Sequence, residues 1–335
     1  MAATLSRRRF LTTSAGAALS GLLEGTRTAV QAQGLTSLNI GLGFHNLDAA
    51  AAWIAQDKRF FEKFGLSVNI LEFQGGAKSI VAIASGEVPI SLNSGIEVIN
   101  ARSQGIPLQM IGGLVNKFSF DFVVAQNITS PSQLRGTKGA ISSFGGSSDF
   151  AARYALTRLG INPQDVTLLP TGDETSRLQA LQTGQIQFTV LTAGLDLVAF
   201  DLGYKPLIKL YTFDQPYQSS GIAVNAIWAK AHSAIVDALM KAIVTATVYM
   251  KNPLNVAAAL ALLHTHLPIK EGQLRQGFEL YRDRFYSVYP FVTVPGMEFI
   301  LRERKMTQPV TDFYDNSYVQ ALQNANFAAT VAKSI

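Results

Sequence analysis

The strongest constraint on this chain is a pattern it uses twice. Ala82-Ile83-Ala84-Ser85-Gly86-Glu87-Val88-Pro89-Ile90-Ser91 and Ala180-Leu181-Gln182-Thr183-Gly184-Gln185-Ile186-Gln187-Phe188-Thr189 each read as a helix end, a glycine free to take positive φ, and a strand edge. A strand and a loop into the helix precede each copy. Two lobes of like architecture are the simplest explanation. Alternating apolar residues predict strands over 37–42, 66–70, 88–92, 139–141, 166–169 and 186–191. Helical spacing predicts helices over 49–61, 77–84, 150–159 and 174–182, with Asp48 as the N-cap of the first and Gly65, Gly86, Gly160 and Gly184 as stops. Asn93-Ser94-Gly95 opens one more helix. Strand, loop and helix at this spacing mean βαβ units and a largely parallel sheet. From Trp228 onward the pattern is almost wholly helical, and such a tail packs best on the outside of the first lobe. The fold class is therefore α/β: two Rossmann-like lobes and a helical C-terminal tail.

The N-terminus reads as an address. Ser6-Arg7-Arg8-Arg9-Phe10-Leu11, a short apolar stretch to Leu23, and Val30-Gln31-Ala32 follow the order of a twin-arginine signal peptide over 1–32. Four of the chain's 28 Lys and Arg lie there against one of its 23 Asp and Glu, which leaves 24 against 22, a net charge of +2. The basic balance therefore belongs to the signal, and with no basic run or motif nucleic acid is not an expected partner. The chain has no cysteine, which excludes disulfides, thiolate catalysis and Cys-bound zinc. The apolar stretch 234–250 holds Asp237 and Lys241 and repeats at helical spacing, so it reads as a core helix. His264 and His266 point to different helix faces and read as surface residues, so no metal is expected.

Three segments carry a family resemblance. Trp53-Ile54-Ala55-Gln56-Asp57-Lys58-Arg59-Phe60-Phe61-Glu62-Lys63-Phe64-Gly65-Leu66 resembles the element A-x-x-x-G-[FY]-F-x-x-x-G-L of periplasmic solute-binding proteins of the sulfonate, nitrate, taurine and thiamine-precursor (NMT1/THI5-like) group of ABC importers. Ala84-Ser85-Gly86-Glu87-Val88 resembles its A-x-G-x-V-D, with Pro89 in place of Asp. Ser130-Pro131-Ser132-Gln133-Leu134-Arg135-Gly136-Thr137-Lys138-Gly139 resembles the segment that opens the second lobe. The resemblance runs from about Leu38 to Leu210. It implies the type II periplasmic binding fold, with lobe one at 36–122 plus 220–335, lobe two at 123–219, crossings near 122–125 and 218–221, and hinge closure on a ligand. It also implies a periplasmic monomer that hands a small molecule to an inner-membrane permease. A sensing module for a receptor is the alternative. An enzyme is the weaker one: a yeast pyrimidine synthase shares the fold but uses a Cys-rich segment this chain lacks, and no nucleophile elbow is present. No cofactor is expected.

In such sheets the ligand sits beyond the carboxyl ends of the strands, and helix starts favour anions. The loop Phe144, Gly145, Gly146, Ser147 and Ser148 is the leading candidate: glycines for close backbone approach, hydroxyls, and a ring to stack. His45 (as a neutral imidazole) and Asn46, then Gln74 with Gly75 and Gly76, and Asn93 with Ser94 join it from lobe one. Thr171-Gly172-Asp173 and Thr192 join it from lobe two. Several of these also serve as ordinary helix caps. Phe118, Phe120 and Phe213 stand near the lobe boundary as an apolar wall, or as core. The expected ligand is a small polar or aromatic molecule, with a carboxylate or sulfonate held by helix starts.

Overall fold

The computed structural model describes residues 34–335; the expected export signal lies outside them. The chain begins with β1 (Thr36–Leu42) and a short turn of helix, then α1 (Ala50–Asp57) and α2 (Phe60–Lys63). Arg59 at φ 57° separates the two helices, so the predicted single helix over 49–61 is broken. The N-cap is Asn46, not Asp48: the Asn46 carboxamide oxygen accepts the Asp48 N–H at 3.0 Å. β2 (Leu66–Glu72), α3 (Gly76–Ser85), β3 (Ile90–Asn93), α4 (Gly95–Ser103) and β4 (Leu108–Lys117) follow. The second half runs β5 (Phe120–Val124), β6 (Lys138–Ile141), α5 (Ser147–Arg158), β7 (Thr167–Pro170), α6 (Glu174–Gln182), β8 (Phe188–Thr192), α7 (Leu195–Asp201) and β9 (Lys205–Lys209). The chain then returns through β10 (Pro216–Asn225).

The strands form two five-stranded sheets with the same plan, β2-β1-β3-β10-β4 and β7-β6-β8-β5-β9. In each, four strands run in one direction and the strand that follows a change of sheet, β10 or β5, runs antiparallel to both of its neighbours. The repeated ten-residue pattern falls on matching places, the ends of α3 and α6, with Gly86 at φ 81° and Gly184 at φ 72°. The sheets are mixed because β5 and β10 each run against the other four strands of their sheet.

The chain changes sheets twice. Residues 122–125 and 218–221 lie in or against β5 and β10, and the changes come before them, at Phe118-Ser119 and between Lys209 and Pro216. The whole of β5 is buried in the second sheet, which fixes the first change ahead of Phe120. The first connection packs on the start of β10, just after the second: Phe118 stacks on Tyr217 at 4.0 Å, and the Ser119 and Ser219 hydroxyls meet at 3.1 Å.

The C-terminal part is helical: α8 (Ala226–Ala231), α9 (Ser233–Lys251), α10 (Val256–His266), α11 (Glu271–Leu280), α12 (Val294–Glu303), α13 (Ser317–Asn324) and α14 (Phe327–Ala332). α9 is long and apolar enough to cross a membrane. It packs instead on α1 and α2 of the first lobe, burying Val236, Leu239, Met240, Ile243 and Val244; each such side chain contributes about 1.5–3 kcal/mol. α11 also touches the second lobe, where Gln273 donates to Asp201 at 2.9 Å. Between α11 and Tyr286 the helix widens into one π turn, Tyr281–Phe285. The hydroxyl of Tyr281, its first residue, is buried and has no hydrogen-bond partner among the described residues.

Candidate ligand-binding cleft

The carboxyl ends of the parallel strands in both sheets face one cleft of about 390 Å³. The first lobe lines it with 43–46 and Asp48 after β1, and with Glu72 to Gly76 after β2. The second lobe supplies Phe120, Ser142, Ser147, Ser148 and the start of α6, Asp173 to Thr175 and Arg177. This is where an open α/β sheet presents its loops.

Of the residues singled out in the sequence, His45, Asn46, Gln74, Gly75, Gly76, Ser147, Ser148 and Asp173 line the cleft, as does Phe120. The His45 imidazole is not a free group: one ring nitrogen faces Glu72 at 2.7 Å and the other the His266 carbonyl at 2.9 Å. Asn46 is buried and donates across the cleft to Glu174 Oε1 at 2.7 Å. The Ser148 hydroxyl accepts the Ser142 N–H at 2.8 Å.

The others stand elsewhere. Asn93 and Ser94 are fully buried behind the wall: Asn93 donates to the Ser79 hydroxyl at 2.7 Å, and the Ser94 N–H reaches Glu97 at 2.9 Å. Phe118 belongs to an aromatic stack with Tyr154, Tyr217 and Phe299. Phe144 is 58% exposed, and Phe213 lies under the Arg158 guanidinium. Gly145 and Gly146 form the turn before α5, where the Gly145 carbonyl accepts from Asn100 of the first lobe at 2.8 Å. Thr171 bonds its own strand. Thr192 is buried and donates its N–H and hydroxyl to Glu174 at 2.8–3.1 Å. His264 is exposed, and His266 is half-buried: it stacks flat on buried Trp53 at 4.8 Å and meets Asp57 at 2.9 Å.

Of the charged residues of the wall the sequence points to Asp173 as a cleft residue and to Asp48 only as a cap, and it does not point to Glu72, Glu174 or Arg177. Glu174 is the first residue of α6 and is held by Asn46 and Thr192 from opposite lobes. Arg177 is buried and donates to Gly172 O at 2.7 Å, Val190 O at 3.0 Å and the Thr189 hydroxyl at 3.2 Å; burial holds its pKa below the usual value. Asp48 is 3% exposed, and burial pushes its carboxyl up to about 7, with the Tyr281 hydroxyl opposing and Glu174 adding to the shift. The loop residue taken as a cap is thus a buried acid. Its signal was its place two residues after the real cap.

One further carboxylate decides what the second lobe's leading loop can hold. Glu97 of α4 reaches the start of α5, where its Oε1 accepts the Ser147 N–H at 3.3 Å. Burial raises the Glu97 pKa, and the N–H groups of Ser94, Asn93 and Ser147 oppose that. Gly76 makes room for it: a Cβ there would lie 1.9 Å from Oε1.

The NMT1/THI5 like family model matches residues 46–255. A putative thiamine biosynthesis protein of Haemophilus influenzae is 29% identical over 147 residues, 43% of this chain and 46% of that protein. The taurine-binding periplasmic protein of Escherichia coli is 30% identical over 144 residues, 42% of this chain and 43% of that one. Each match spans less than half of the relative. The periplasmic nitrate-binding protein NrtA of Synechocystis superposes with a TM-score of 0.74 at 13% identity, over 89% of this chain and 91% of NrtA. At that identity the likeness is one of fold, the periplasmic binding protein fold.

Proposed function

The chain belongs to the NMT1/THI5-like family, and from that premise we propose that it is a periplasmic solute-binding protein. It captures a small organic molecule between its lobes, as a monomer, and delivers it to an ABC importer in the inner membrane, having left the cytoplasm by the twin-arginine route. The observation that carries this reading is the cleft itself. Its about 390 Å³ lies within the range of small-molecule sites, and loops of both sheets line it. Asn46–Glu174, Glu97–Ser147 and Asn100–Gly145 join the lobes around it, and the two changes of sheet, one at Phe118-Ser119 and one just before the Tyr217 and Ser219 that pack on it, supply a hinge.

Native mass spectrometry of the purified full chain tests the proposal. A molecule that co-purifies, raises Tm when added back and is released unchanged supports it. Conversion of that molecule on incubation would make the chain an enzyme.

A further inference from the structure

The geometry points to an organic cation as the solute: a molecule whose protonated nitrogen donates to Asp48 and whose apolar face packs on Phe120. This rests on the solute-binding reading and names the ligand class for that cleft. Asp48 lines the cleft, is 3% exposed, and its Oδ1 has no hydrogen-bond partner. A buried carboxylate oxygen without a donor is costly unless something supplies one. The groups acting on it are the neutral hydroxyls of Tyr281 and Ser119, which favour its charged form, and the carboxylate of Glu174, which opposes it, with no cation among them.

The rest of the wall points the same way. Arg177, the sole Lys or Arg in the lining among the described residues, spends its N–H groups on two carbonyls and a hydroxyl and faces Glu174 and Asp173. His45 is paired with Glu72. The start of α5, which would otherwise attract an anion, already holds the Glu97 carboxylate. The start of α6 is capped by Asp173, which accepts the Ser176 N–H at 2.8 Å. Among the described residues only α3 begins in the cleft without a side-chain cap, so an anion would find one helix start against an excess of carboxylates. A cation instead gains the unmet Asp48 oxygen and the aromatic Phe120 of the lining.

The test uses the full chain stripped of any co-purified ligand, and calorimetry with benzamidinium and agmatine against methanesulfonate and nitrate, each at millimolar concentration. The cations are expected to bind and the anions not. Asp48→Asn is expected to weaken cation binding at least tenfold while Tm stays level or rises, because its backbone, not its side chain, bonds Tyr286 and Ser220. Binding of the anions in place of the cations, or an Asp48→Asn variant that binds cations like the parent, would overturn the inference and leave solute binding intact. If neither set binds and no small molecule co-purifies, both readings fall.

Discussion

Glu97 in the first lobe accepts the backbone N–H of Ser147 in the second, at 3.3 Å, and so a carboxylate of the chain itself caps a helix across the cleft. Further bonds from Asn93 at 3.1 Å and Ser94 at 2.9 Å hold that carboxylate in place. The arrangement needs a glycine beside it. Gly76→Ala would put a methyl 1.9 Å from Glu97 Oε1, an overlap that must displace the carboxylate. A cost of about 1–3 kcal/mol is expected, read as a Tm several degrees lower, together with weaker ligand binding. An unchanged Tm would show that Glu97 has room to move.

Glu174 is tied to both lobes, and the two ties are expected to differ in worth. Thr192→Val removes one hydroxyl donor and leaves the Thr192 N–H and Asn46 in place, for a loss of about 1 kcal/mol in urea unfolding. Asn46→Ala removes both the bridge between lobes and the cap that accepts from Asp48 N–H. It is expected to cost about 1–3 kcal/mol and to expand the ligand-free protein in small-angle scattering. Equal effects from the two variants would count against Asn46 as a bridge.

Asp48 gives stability a pH dependence of known sign. Its folded pKa, about 7, lies above its ordinary 3.8. Between those values the folded state holds a proton that the unfolded state has lost, so the contribution to stability declines as pH rises from 4 to 7. Asp48→Asn removes that decline. The variant is expected to gain stability over the parent at pH 8 by on the order of 4 kcal/mol at most, and to match it near pH 4. Thermal melts of both proteins across that range check this; parallel curves would mean the group is not buried as an acid.

Trp53 offers a spectroscopic handle. It is 1% exposed, with His266 stacked on it and the cleft residue His45 at its edge at 5.1 Å. The chain has one other tryptophan, Trp228, which stacks on His232 away from the cleft lining. Ligand binding is expected to change tryptophan emission, and the change should survive Trp228→Phe. Its loss in that variant would show that Trp53 is silent. Trp53→Ala should cost about 3–5 kcal/mol.

What could be read early was whatever the chain states locally. Glycines at 65, 86, 160 and 184 all adopt positive φ, as their places after helices implied. Strands with alternating or short apolar runs, such as β1 and β6, were legible for the same reason. β4, β5, β9 and β10 were not assigned. Phe120–Val124 is buried at every position, so it has no alternation to detect, and its neighbours β8 and β9 lie far along the chain. His45, Asn46, Gly75, Gly76, Ser147 and Ser148 were placed in the cleft wall because loops after parallel strands gather at one edge.

By itself the sequence determined two α/β halves on one plan, because strand and helix periodicity and glycine stops act over a few residues. Only the tertiary structure decided which polar groups remain available in the cleft. Asn46, not Asp48, became the cap; Glu97 took the start of α5; Asp48 was left buried without a donor for Oδ1. Those outcomes depend on partners distant in sequence, such as Asn46 with Glu174, and burial and hydrogen bonding are properties of the packed chain rather than of any segment of it.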